Sequence, residues 1–82
     1  MSPDIEKYYE NYFDLFVTDG WKQLVEEVNQ ILDSHDIDSI KDEKELALLQ
    51  GERATLKRIA SFETNIKNSY DHILENENDS QV

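Results

Sequence analysis

The chain has no cysteine, one proline, two glycines and eight basic residues among 82, and each scarcity removes a class of protein. Without cysteine there is no disulfide and no thiolate metal site, which leaves oligomerisation as the staple for a domain this small. Lysine and arginine total eight against nineteen acids, a net charge of −11, so nucleic acid is not expected as a direct partner. Its phosphates would meet too few cations. Apolar runs stop at three or four residues, as in Leu46-Ala47-Leu48-Leu49, so no membrane span is expected, and no secretory leader is apparent. The sequence therefore predicts one all-α domain over residues 1–76 with an acidic, disordered tail at 77–82.

What the chain does have is helical periodicity. Residues 42–76 carry no proline, and Gly51 is their only helix breaker. Ile59, Ile66 and Ile73 recur every seven residues, as do Leu49 and Leu56, with Leu46, Phe62 and Tyr70 between them. Such a helix would run on the order of 50 Å at 1.5 Å per residue. Asp42 followed by Glu45 marks its start as a capping pair. A second helix is predicted at 19–34, where Trp21, Leu24, Val25, Val28, Ile31 and Leu32 form one face. The connection at 34–41 is short, so these two helices form an antiparallel hairpin.

A third helix precedes the hairpin. Ser2-Pro3-Asp4 supplies a cap, a proline at the first position and an acid in the first turn. Tyr8, Tyr12 and Phe16 form one row and Tyr9 and Phe13 a neighbouring one, before Val17-Thr18-Asp19-Gly20 ends the helix. The helix at 19–34 covers only half of the long one. The aromatic helix covers the rest by folding back over Phe62, Ile66 and Ile73, or another subunit does. We expect a homo-oligomeric helical bundle whose interface draws on Tyr8, Tyr9, Tyr12, Phe13, Leu56, Ile59, Phe62, Ile66, Tyr70 and Ile73. The opposing expectation is that the aromatic residues close the core of a single chain.

Glycine inside a helix costs about 1 kcal/mol relative to alanine, so Gly51 needs a reason. It either breaks the long helix or admits a close neighbour such as Trp21. Close packing is favoured, because the apolar rows continue in phase across it.

Charge is unevenly distributed. Residues 1–38 hold ten acids against Lys7 and Lys22, whereas Arg53, Lys57, Arg58 and Lys67 make the middle of the long helix locally positive. The acidic early helices are expected to lie against this stretch, within one chain or between copies. A basic strip facing an anionic partner is the sharper alternative.

Chemistry is hard to find. His35 and His72 have no second histidine at a zinc-binding spacing and are expected to face solvent. Asp33, Asp36 and Asp38 lack the glycine and terminal acid of a calcium loop. No phosphate loop or nucleophile-base pair is present, so no enzyme activity, cofactor, metal or small-molecule substrate is expected.

The run Tyr12-Phe13-Asp14-Leu15-Phe16, then Asp19-Gly20-Trp21-Lys22, then Lys41-Asp42-Glu43-Lys44-Glu45-Leu46 leading to Gln50-Gly51-Glu52 and Leu56, resembles the small helical proteins encoded among the virion genes of short-tailed bacteriophages. The similarity extends over roughly residues 9–74. It implies association with phage structural proteins in particle structure or assembly, and it brings no catalytic residues. A different expectation rests on charge alone: an acidic inhibitor or nucleic-acid mimic that occupies a basic groove on a host protein.

Overall fold

The computed structural model describes residues 1–79, and within them the chain is all-α: α1 (Pro3–Phe16), α2 (Asp19–Ser34), a single 3-10 turn (Ile37–Ser39), α3 (Glu43–Ala60) and α4 (Phe62–Asp79). Each start has a local cause. The Ser2 hydroxyl oxygen accepts from the Ile5 N–H at 3.3 Å, with Pro3 opening the helix and Asp4 and Glu6 in its first turn. Thr18 acts at both sides of the first junction. Its hydroxyl donates to the Leu15 carbonyl at 2.7 Å and accepts from the Trp21 N–H at 3.2 Å, so one side chain closes α1 and opens α2. Asp42 caps α3 by accepting from the Lys44 N–H at 3.0 Å.

The long helix is interrupted, and the interruption is not at Gly51. It falls at Ser61, whose hydroxyl donates to the Lys57 carbonyl at 2.7 Å and whose N–H is shared between the carbonyls of Lys57 and Ile59. A serine bonding back to its i−4 carbonyl bends a helix, and here one residue leaves the helical path before α4 resumes with Asn65 bonding to Ser61. The hairpin predicted as 19–34 and 42–76 is thus three helices, and with α1 the chain forms two interrupted arms of two helices each. α4 also continues to Asp79, three residues past the point where apolar periodicity ends; residues 80–82 of the expected tail lie outside the described residues.

The arms run antiparallel along their whole length. Met1 meets Glu77, Tyr9 meets Tyr70, Phe16 meets Phe62, and Arg53 reaches Leu32 and His35, so partners descend one arm as they ascend the other. α1 packs on α4 and α2 on α3. The result is one layer of helices, 56 × 30 × 17 Å, with a radius of gyration of 17.7 Å. A globular domain of this length would have a radius near 12 Å. Buried apolar residues are few: Tyr9, Phe16, Trp21 and Ile66 in one cluster, and Val28.

Arg53 fixes the turn end of the hairpin. Its half-buried guanidinium donates to the Leu32 carbonyl at 2.7 Å and lies 3.1 Å from His35 Nδ1, supplying a cation where α2 ends with unpaired carbonyls. His35 is accordingly half-buried rather than facing solvent, whereas His72 is exposed. Arg53→Ala should lower unfolding free energy by about 1–3 kcal/mol, the range for a hydrogen bond made by a charged group plus the acceptor it leaves behind. Urea denaturation followed by circular dichroism checks this.

Candidate interaction surface

An aromatic cluster lies where both arms are interrupted. Phe16 from α1 meets Trp21 from α2 at 5.2 Å between ring centres, and Phe62 at the start of α4 meets both, at 6.0 and 6.2 Å. The Trp21 indole N–H donates to Glu63 Oε1 at 3.0 Å, and the other oxygen of Glu63 accepts from Lys67 at 2.6 Å. Those bonds, Lys67 first and Trp21 second, hold the Glu63 carboxyl below its ordinary value of 4.5. Beside this cluster, Trp21, Arg58, Ile59 and Phe62 line a shallow notch open to solvent.

Most of the side chains proposed for an interface are used within the chain. Tyr9 is buried against Tyr70 at 5.2 Å, and Phe13 meets the same ring edge-on at 5.1 Å. Tyr12 packs edge-on against Phe62 at 5.0 Å. Ile66 is buried, Ile73 packs against the same cluster, and Leu56 and Ile59 are half-buried on α3. The first helix does fold back over Phe62, Ile66 and Ile73. Of the aromatic group only Tyr8 stays outside, half exposed, with its ring edge against Tyr9 and Tyr12.

Gly51 corrects both readings made of it. The helix runs through it unbroken, and a Cβ placed there would meet nothing within 4 Å, so Trp21 does not pack against it. Trp21 instead lies in the bend, ten residues of α3 away.

Other apolar side chains are exposed that the spacing had assigned to core faces or left unremarked. Leu48 is 76% exposed, Leu24 46%, Ile31 44% and Ile5 42%. Leu24 and Ile31 belong to the wide apolar face of α2, but α2 is covered on one side only, by α3 along its length and by Phe16 and Phe62 at Trp21, and the side chains taken from solvent are Trp21, Val25, Val28 and Leu32. The signal was available in the sequence as position on the helix, and it needed the number of neighbours to be read. The whole chain exposes 6426 Å². A folded monomer of its 9.7 kDa is expected to expose about 5,100 Å².

Charge is likewise left open. Arg53 is turned inward and Lys67 is paired with Glu63, while Lys57 and Arg58 are exposed with no ion pair among the described residues. The acidic α2 packs on α3, which carries Arg53, Lys57 and Arg58, but among the described residues no ion pair joins a carboxylate of α1 or α2 to any of the four cations. A pocket between α1 and α4 is lined by Glu6, Glu10, Glu77, Phe13, Tyr70 and Leu74, with the Met1 ammonium paired to Glu77. No group of three His, Asp or Glu side chains is placed to hold a metal among the described residues, and no helix among them is long and apolar enough to cross a membrane. No family model, curated protein or solved structure matches the chain.

Two outcomes follow for these residues. Ile66→Asp should cost roughly 4 kcal/mol or more, because it places a carboxylate inside the shared core, and it should unfold the chain rather than merely separate copies. Loss of helical ellipticity at low urea checks it. Because the Glu63 carboxyl titrates below 4.5, the stability it supplies is complete above that pH and is lost as pH falls through its lower folded value. Glu63→Gln should remove that part of the acid dependence, read as a shallower fall of Trp21 fluorescence midpoint in urea between neutral pH and the onset of acid unfolding.

Proposed function

We propose that this chain is a non-enzymatic helical protein that acts through self-association and protein–protein contacts, in the structure or assembly of a short-tailed phage particle. The observation that carries the reading is surface: roughly 1,300 Å² more than a monomer of this mass is expected to expose, on a single layer of helices with apolar side chains left outside. A standard interface removes about 800 Å² from each partner, so the excess is of the size that one contact would cover. The phage context is supported by the resemblance carried by Tyr12–Phe16, Asp19–Lys22 and Lys41–Leu46. Phage structural proteins are the heterologous partners, and the host cytoplasm or the virion is where they would be met.

One feature favours a second reading, an acidic inhibitor of a basic host protein. Every carboxylate of α1 and α2 is exposed, and among the described residues only Glu10 is ion-paired, with Lys7 at 3.9 Å. Light scattering across a concentration series separates the two. A mass that rises to a dimer or beyond supports self-association. A monomer at every concentration, together with a salt-sensitive basic protein captured from host lysate, would replace it with the inhibitor reading.

A further inference from the structure

Of the nine large apolar side chains exposed among the described residues, five fall on one side of the layer, while Val17 and Leu74 lie to the other side, Ile5 lies near the buried line of α1 and Ile37 is in the 3-10 turn. At about 100° per residue, Tyr8 and Leu15 lie to one rotational side of the buried Tyr9–Phe16 line on α1, Leu24 and Ile31 to the same side of Trp21 and Val28 on α2, and Leu48 to the same side of Leu49 and Leu56 on α3. The offsets are all of one sign, roughly 50–110°. Because the arms are antiparallel, one rotational sense on both arms is one face of the layer. The notch of Trp21, Ile59 and Phe62 opens near its middle. Beside Leu48, Gly51 leaves bare backbone, and nothing in the chain occupies the space above it. The other face carries Glu6, Glu10, Lys22, Arg53, Lys57 and Lys67.

Resting on the self-association reading, we infer that this face is where a second copy of the chain docks, face to face, about a two-fold axis. Three observations select a second copy. The surplus of about 1,300 Å² is enough for one standard interface, which takes about 800 Å² from each partner, and short of two. A chain of charge −11 meets itself at least cost on the face where carboxylates are sparse, whereas a basic partner would be drawn to the outer edge of α1 and α2, where Asp14, Asp19 and Glu26 are exposed. The charges that do stand on or beside this face are of both signs: Arg58 at the rim of the notch has no ion pair in its own chain among the described residues, and neither have Glu27 and Glu52. A two-fold axis lets each cation face a carboxylate of the other copy, so the surface is self-complementary.

Sedimentation equilibrium on the full chain and three variants tests the assignment. Leu48→Glu and Leu24→Glu change side chains already exposed, so helicity and Trp21 fluorescence should stay as in the unaltered chain. Each should raise the dissociation constant at least about tenfold, the effect of losing one apolar anchor. Asn29→Glu adds the same charge on the opposite side of α2 and should change it by less than about twofold. If the unaltered chain associates and Leu48→Glu and Leu24→Glu associate equally well, the face is wrong while self-association stands. If Asn29→Glu weakens association as much as they do, charge and not this face governs it, and the inference is overturned. An unaltered chain that stays monomeric removes both the inference and the reading beneath it.

Discussion

The contact of Phe16, Trp21 and Phe62 is the one on which the other parts depend, because it is where the four helices meet. Its three rings are set by two breaks. Thr18 ends α1 and starts α2 so that Phe16 and Trp21, five residues apart, face each other across the junction. Ser61 interrupts the opposite arm at the same level and turns Phe62 toward them. A straight long helix would present its apolar row to α2 for only half its length. The two bends let α1 follow α4 and α2 follow α3, so each arm stays in register with the other from Met1–Glu77 to Arg53–Leu32. The Trp21 indole then has its single donor satisfied by Glu63, which removes the cost of burying it.

The parts of this fold written in local chemistry were legible. Ser2 and Asp42 cap the helices they were expected to cap, because a hydroxyl or carboxylate before an apolar run satisfies orphan N–H groups whatever the tertiary context. The bounds of α2 and the aromatic rows of α1 followed from spacing in the same way. Ser61 did not announce itself. A serine is an ordinary surface residue of a helix until its hydroxyl bonds back, and no spacing in the sequence marks where that interrupts a helix; Thr55 bonds back to Gly51 in the same way and α3 runs on. Gly51 attracted attention for its intrinsic cost, yet glycine tolerates a helix interior at about 1 kcal/mol, and the helix simply bears it.

The site was less legible than the fold for a related reason. Apolar periodicity reports that a row will be covered, and it is silent on which chain covers it. The isoleucine row at 59, 66 and 73 looked like a seam between subunits, but α1 of the same chain lies on Ile66 and Ile73, and Ile59 lines the notch beside Trp21. Conversely, Leu24 and Ile31 looked like core because the apolar face of α2 is wide. A helix covered on one side buries one stripe, and the remainder of a wide face stays outside. Leu48 is the extreme case, three-quarters exposed in the middle of a well-formed helix.

A domain ordinarily closes its core with a second layer, and this chain has spent its helices on length. The acidic composition would seem to oppose adding a layer made of another copy, since both carry −11. Distance weakens that objection. A helix with its side chains is about 10 Å across, so charges on the outer face of one layer stand at least that far from the contact plane and twice that from their counterparts. At physiological ionic strength the screening length is about 8 Å, and repulsion across two helix diameters is small. What remains at the plane is a few charges of both signs and the apolar side chains of α1, α2 and α3. The same charge that would keep separate layers soluble is therefore no barrier to pairing them along the one face from which it has been kept away.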